Sequence, residues 1–304
     1  GTGAKQVIYN VLMASLDEGD EVIIPAPYWV SYPDMVLLSG GKPVIVKAGA
    51  DDGFKITAES LKNAITDKTK WLILNSPSNP TGATYSKQEL RQLADVILQY
   101  DHVHVISDDI YEHIIFDDFS YHTIAEIEPK LKDRVLTVNG VSKAYSMTGF
   151  RIGYAAGNPE LIKAISKVQS QSTSNPCSIS QMAALEALSG RQDYLAERAA
   201  SFQTRRNMVV ERLNDIKGIS CNLPEGAFYV FPSIVDLLGK KTENGELIST
   251  SVDFTKHLLE QQLVAAVAGS AFGLEGFFRI SYATSVKDLE TALNRVKDFC
   301  EALS

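Results

Sequence analysis

The chain has 304 residues, a formal net charge of −8 and 45% hydrophobic residues. That length supports a sizeable core in one or two domains, and the acidic balance excludes a general nucleic-acid binder. Cys177, Cys221 and Cys300 stand too far apart for a metal motif or a disulfide framework, which predicts a reducing, cytoplasmic setting and no metal site. No apolar run approaches the ~18 residues of a membrane span, and no signal peptide is visible.

The chain opens without Met on Gly1-Thr2-Gly3-Ala4-Lys5-Gln6, a loop feeding directly into a helix, so a preceding segment is expected. Residues 5–16 carry apolar side chains at helical spacing. Thr2, Gly3 and Ala4 then lie at a helix N-terminus, either a plain N-cap on Thr2 or an anion site. Glu21–Ile24 reads as a strand, and Pro25-Ala26-Pro27-Tyr28-Trp29 as a rigid loop at its end. Trp29 is there as a core anchor or as a stacking platform for a flat ring. A helix over 32–38 and a strand over 43–46 follow.

Thr57 caps a helix over 57–65, and Thr69–Leu74 is a buried strand. It ends in Asn75-Ser76-Pro77-Ser78-Asn79-Pro80-Thr81-Gly82, where prolines forbid either regular structure. The Asn79 amide is held by turn chemistry or aimed at a ligand oxygen. Ser86 and Glu89 form a capping box for a helix running to Tyr100. The strand Val103–Ile106 leads into Ser107-Asp108-Asp109-Ile110-Tyr111-Glu112, where Asp108 is a solvated turn residue or a buried carboxylate seeking a cation.

Leu131–Val138 runs into Asn139-Gly140-Val141-Ser142-Lys143-Ala144-Tyr145-Ser146-Met147-Thr148-Gly149-Phe150-Arg151-Ile152-Gly153-Tyr154. Taken alone, Lys143 reads as a surface lysine. A strand over 152–157 and helices over 159–169 and 180–188 come next, then a connecting helix over about 193–213. Strands over 219–223, 227–231, 264–267 and 278–282, with helices over 252–262 and 286–302, predict a small α+β domain. Arg279 lies within an apolar strand and needs an anion, from a structural Glu or from a ligand carboxylate.

Repeated strand–helix alternation predicts a mostly parallel sheet covered on both faces, with ligands beyond the carboxyl ends of its strands. Trp29, Asn79, Asp108 and Lys143 all follow predicted strands. Together the residues describe a pyridoxal-phosphate site. A helix N-terminus and Arg151 hold the phosphate, Trp29 stacks on the ring, and Asn79 and Tyr111 bond the ring oxygen. Asp108 keeps the ring nitrogen protonated, and Lys143 forms an imine.

The ordered set of these motifs resembles the class I aminotransferases of PLP fold type I, in particular the bacterial aspartate and aspartate/prephenate subgroup. The resemblance is carried by Gly3-Ala4-Lys5-Gln6, Pro27-Tyr28-Trp29-Val30-Ser31-Tyr32-Pro33, residues 75–82, 107–112 and 142–154, and Arg279-Ile280-Ser281-Tyr282-Ala283. It implies an α/β large domain over 1–190 and a small C-terminal domain over 191–304. It implies Lys143 as Schiff-base lysine and proton shuttle, Asp108 on the pyridine nitrogen and Tyr111 on the ring hydroxyl. Asn79 would touch that hydroxyl or the substrate carboxylate, and Trp29 would stack against the cofactor. Gly3, Ala4 and Arg151 would hold the phosphate, with Lys5 beside them, and Arg279 would clamp the substrate's α-carboxylate. Trp29 and Asn79 would also face the substrate. A homodimer moving an amino group from L-aspartate to 2-oxoglutarate is the implied activity, with prephenate or aromatic oxo acids as other acceptors. The alternatives are a lyase or decarboxylase sharing the site, or a non-catalytic cofactor-binding remnant. Three departures stand out: Asp109 for a commoner Glu, Phe150 for a commoner Trp, and Gly140 where some relatives use a phosphate-binding Ser. The family also carries an N-terminal arm ahead of the Gly3 loop, with part of the small domain and a tyrosine given to the neighbouring subunit, which here would be disordered, removed or absent.

Overall fold

A computed structural model describes residues 1–304. Helix α1 (Ala4–Ser15) leads to strand β1 (Glu21–Ala26), α2 (Ser31–Leu38), β2 (Lys42–Lys47), α3 (Ala58–Ala64) and β3 (Thr69–Asn75). Next come α4 (Lys87–Ile97), β4 (His104–Asp108), the short α5 (Ile124–Ile127), β5 (Val135–Gly140) and β6 (Gly153–Ala156). The remainder is α6 (Pro159–Ser170), α7 (Ser178–Ser189), α8 (Tyr194–Asn214), β7 (Tyr229–Val230), α9 (Ser251–Gln262), β8 (Val267–Ala268), β9 (Phe278–Ser281) and α10 (Val286–Glu301).

Six strands form one sheet in the order β2-β1-β3-β4-β5-β6. All neighbours are parallel except β6, which runs antiparallel to β5 at the edge. Side chains alternate between two buried faces. Ile23, Leu72, Leu74 and Val105 face a core shared with Leu61 of α3 and Leu90 and Leu93 of α4. Val22, Ile24, Trp71, Ile73 and Ile106 face the opposite core, shared with Ile8, Val11 and Leu12 of α1 and Ile165 of α6. Burial on both faces is why these strands read as unbroken apolar runs. The register sets Asn75 beside Asp108 and Asp108 beside Val138, so the polar strand ends lie level with one another.

The second sheet is small and antiparallel, in the order β7-β9-β8. Val209 and Leu213 of α8, Phe254 and Leu258 of α9, and Leu289, Leu293 and Phe299 of α10 build its core. That core reaches back to Ile110, Tyr111, Ile114 and Phe116, the stretch directly after β4. No helix is long and apolar enough to cross a membrane.

Both expected caps form: Thr57 reciprocates with Ser60 at α3, and Ser86 with Glu89 at α4. Several expected elements differ. Residues 219–223 make no strand, only a single bridge between Ser220 and Ser233. The Asn214 side chain takes both backbone groups of Cys221 instead, accepting from its N–H at 2.8 Å and donating to its carbonyl at 3.1 Å. The strand expected over 227–231 shrinks to two residues. Ala227 sits at a left-handed φ of 58°, and Pro232, which has no N–H, closes the other end. The strand expected over 264–267 shifts to β8, residues 267–268. The run from Leu131 starts as a 3₁₀ turn over Pro129–Arg134 before β5 begins. The helix expected to reach Tyr100 ends at Ile97.

The edge of the large sheet is pressed against the start of α1. A Cβ on Gly153 would lie 2.2 Å from the Ala4 nitrogen and 2.4 Å from the Gly3 carbonyl carbon, backbone atoms that cannot swing aside. Gly153→Ala is therefore expected to destabilise the chain by about 2–4 kcal/mol in urea unfolding. Gly149→Ala, whose Cβ would meet nothing within 4 Å, should stay within about 0.5 kcal/mol. Equal stabilities for the two variants would disprove this contact.

Candidate active site

A cavity of about 210 Å³ lies beyond the carboxyl ends of β3, β4 and β5. Ala4 and Lys5 line it from α1, and Trp29 and Tyr32 from the passage into α2. Asn75 and Asn79 follow β3, Asp108, Ile110 and Tyr111 come with the end of β4, and Ser142 and Lys143 follow β5. Thr148 and Arg151 complete the wall. Eight of the ten residues singled out from the sequence thus share one chamber. Gly3 lies just behind it, against Arg151, and Arg279 adjoins it through Asn79.

Asp108 is the last residue of β4 and is buried. Its Oδ2 accepts a 2.6 Å bond from the hydroxyl of Tyr32, itself buried, while Oδ1 has no partner. Burial pushes the Asp108 carboxyl up to about 6, against the Tyr32 hydroxyl, the Ile110 N–H and the Lys143 charge, which pull it down. A buried oxygen left open beside a cavity is a socket for a cationic N–H.

Lys143 lies three residues beyond the end of β5 and is partly buried, with its amine 5.6 Å from the Phe228 ring and 5.8 Å from that of Tyr111. Burial lowers its pKa, with Arg279 and Arg151 adding to the shift and Asp108 opposing it. A lysine so placed releases its proton more readily than a solvated one and becomes a nucleophile or a base.

The other end of the cavity suits an anion. Gly3, not Thr2, occupies the N-cap of α1, at φ 82°, and no side chain caps the helix. Its first N–H groups are therefore left for a ligand. Arg151, at a left-handed φ of 56°, fixes its guanidinium through Nη1 on the Thr148 carbonyl at 2.9 Å. A side chain on Gly3 would collide with Nη2 at 2.4 Å, so the glycine is what lets Arg151 close on the helix end. Lys5 holds its amine 4.8 Å above the Trp29 ring. Trp29 is half-buried, packs against the α1-side core and also lines the cavity, and it meets Tyr32 edge-on at 5.2 Å.

The Gly140 departure has a steric cause. A Cβ there would meet the Ile152 carbonyl at 2.8 Å and the Gly153 Cα at 3.1 Å, across the β5–β6 pair. The hydroxyl on this wall comes from Ser142 instead.

Asn79 donates its N–H to Asn75 Oδ1 at 2.8 Å, and Asn75 Nδ2 donates to the Asp108 carbonyl at 2.8 Å. Asn79 Oδ1 accepts from Arg279 Nη1 at 2.8 Å, and Arg279 Nε is buried without a partner. No Glu pairs with Arg279, so its remaining N–H groups are available to a carboxylate. Tyr32, Asn75, Ser142 and Thr148 were not singled out in the sequence. Tyr32 stands one helical turn after Trp29, and Asn75 four residues before Asn79; that spacing was the available signal. Together the groups can hold an anion, grip a carboxylate, protonate a ring nitrogen and move a proton with an amine.

Asp109 lies behind Asp108, buried, and accepts from the Ser107 hydroxyl at 2.7 Å. Burial pushes it up to about 7. Its folded pKa lies above the ordinary 3.8, so between about pH 4 and 7 the folded chain keeps a proton that the unfolded chain has released. Stability therefore falls as pH rises through that window. Asp109→Asn is expected to resist urea better than the parent at pH 8, by about 1–3 kcal/mol, with the gap closing toward pH 5. A variant weaker at pH 8 would refute a buried charge at this position.

Comparison with known proteins shows the family of the chain. Residues 1–296 match the family described as aminotransferase class I and II. A probable aspartate/prephenate aminotransferase of Rickettsia felis is 60% identical over 303 residues, covering 100% of this chain and 74% of the relative. The aspartate/prephenate aminotransferase of Cereibacter sphaeroides is 59% identical, covering 100% of this chain and 76% of the relative. The crystal structure of the aspartate aminotransferase from Rhizobium meliloti superposes with a TM-score of 0.98 at 57% identity, over 100% of this chain and 76% of that one. The chain belongs to the class I and II aminotransferases, transaminases of the fold type I α/β architecture that work with pyridoxal 5′-phosphate.

Proposed function

We propose that this chain transfers the amino group of L-aspartate to 2-oxoglutarate, with residues 1–190 binding the cofactor and 191–304 closing over the substrate. The observation that carries the site assignment is the open, buried Oδ1 of Asp108 facing a chamber that also holds Lys143 and an uncapped helix end. Those residues fit pyridoxal phosphate. The α1 N-terminus, Arg151 and Ser142 would take the phosphate, with Lys5 beside them, Trp29 the ring face, Tyr111 and Asn79 the ring oxygen, and Asp108 the ring nitrogen. Bound there, the group supplies a carbonyl carbon for amines and a ring that accepts an electron pair.

The chain's own residues do the rest. Lys143 carries the reactive amine: its Nζ would take the proton from the substrate Cα and deliver it to the carbon of the bound group that carried the carbonyl. Asp108 holds a proton at the ring nitrogen, which deepens the electron sink. Arg279, with Asn79 steadying its guanidinium, grips the substrate's α-carboxylate through its open N–H groups. Trp29 bounds the same space and excludes water from one face.

The names of the relatives favour aspartate as donor. The Rickettsia felis and Cereibacter sphaeroides names add prephenate as a second oxo acid. A homodimer is part of this proposal. Ile179, Met182, Leu185 and Leu188 expose an apolar stripe on α7 that a second copy would cover. A cytoplasmic setting is part of the same proposal, supported by three cysteines too far apart in sequence for a disulfide framework.

Lys143→Ala is expected to lose the visible absorbance of the cofactor-bound chain and at least about 10³ in kcat; retained transamination would sink the assignment. Arg279→Lys keeps the charge but loses the planar fork, and its KM for oxo acids should rise about tenfold. In a panel of donors and acceptors, L-aspartate with 2-oxoglutarate should give the highest kcat/KM. An aromatic donor that outperforms aspartate would overturn the substrate choice.

A further inference from the structure

Tyr229 lies in the second sheet and packs against Tyr111 from the stretch that follows β4. It opens β7, is buried, and pairs with Ser281 on β9, the strand that also carries Arg279. Its hydroxyl lies 3.0 Å from the hydroxyl of Tyr111, and the two rings meet edge-on at 5.8 Å. Its ring face lies 4.8 Å from the Arg279 guanidinium carbon, and Phe272 faces the same guanidinium at 5.0 Å. One side chain thus touches both the tyrosine assigned to the ring oxygen and the arginine assigned to the substrate acid.

We propose that Tyr229 is a positioning residue that aims the Tyr111 proton into the cavity and holds the Arg279 guanidinium flat for a carboxylate. This rests on the functional reading above. A hydroxyl has one proton to donate. If Tyr229 donates to Tyr111, the Tyr111 proton is left for the cavity, and the bond it receives makes it a stronger donor. If the pair ran the other way, Tyr111 would have nothing to offer the cofactor oxygen. Arg279, meanwhile, has the Tyr229 and Phe272 rings within 5.0 Å of its guanidinium carbon. Its Nη1 is committed to Asn79, its Nε is unpartnered, and no carboxylate of the chain pairs with it. The aromatic faces attract the cation without using an N–H, so the fork stays available. The two tasks are separable, because the hydroxyl performs one and the ring performs the other.

Tyr229→Phe removes the hydroxyl and keeps the ring, and Tyr229→Leu removes both. The visible absorbance of the chain loaded with pyridoxal phosphate is titrated with pH, and the affinity for maleate, an unreactive dicarboxylate, is measured on the same samples. Tyr229→Phe is expected to move the titration midpoint up by about half a pH unit, because a weaker donor stabilises the ionised ring oxygen less. Its maleate affinity should stay within about twofold of the parent. Tyr229→Leu is expected to shift the midpoint similarly and to weaken maleate binding by about three- to thirtyfold. A purely structural Tyr229 would move neither readout in Tyr229→Phe, and an unshifted midpoint there overturns the inference alone. Equal loss of maleate affinity in both variants overturns the assignment of the ring to Arg279. A parent chain that develops no visible band with pyridoxal phosphate overturns the functional reading, and this inference falls with it.

Discussion

A carboxylate held out of water at the end of β4 sets the terms for the rest of this molecule. Burying Asp108 costs free energy that its surroundings offset only in part. Tyr32 bonds one oxygen, the Ile110 N–H contributes, and the Lys143 charge acts from across the chamber. The second oxygen stays open. The surroundings are arranged to keep it open and dry. Tyr32 is fixed by α2, Ile110 and Tyr111 are locked into the C-terminal core, and Asn75 ties β3 to the Asp108 carbonyl. The site is electrostatically unfinished by construction, and a protonated ring nitrogen is the group that would finish it.

The same logic explains the crowding of backbone at the anion end. Gly3 and Gly153 let α1, β6 and Arg151 approach more closely than side chains allow, and Gly140 does so for β5 and β6. The result is a helix terminus, an arginine and a strand edge converging within a few ångströms. Charge and dipole then act together on one small anion. The price is sequence rigidity at positions that carry no chemistry.

Much of this was legible in the sequence, because the signals were local. The apolar strands over 69–75 and 104–108, the capping pairs Thr57–Ser60 and Ser86–Glu89, and the proline-locked loop ending at Gly82 all declare themselves within a few residues. The general rule that ligands lie beyond parallel strand ends then gathered Trp29, Asn79, Asp108 and Lys143. What stayed hidden depends on distant partners. Tyr32 reads as an ordinary helix aromatic until β4 is placed beneath it. The failure of residues 219–223 to form a strand depends on the Asn214 side chain, which substitutes for a partner strand. The antiparallel edge strand β6 goes with an excursion over 141–152 that holds only the 3₁₀ turn Thr148–Phe150 and no crossover helix of the kind that usually joins parallel neighbours.

The bond between Asn79 and Arg279 spans 200 positions of the chain. Residues up to Ala156 contain all six strands of the large sheet and every residue that lines the chamber, the lysine and the buried carboxylate included. Arg279 lies on β9, in the second sheet. The chamber's lining and the arginine beside it thus come from separate stretches of the chain, joined through the Asn79 side chain. Any movement of β9 relative to the loop after β3 would therefore have to stretch or break that one bond.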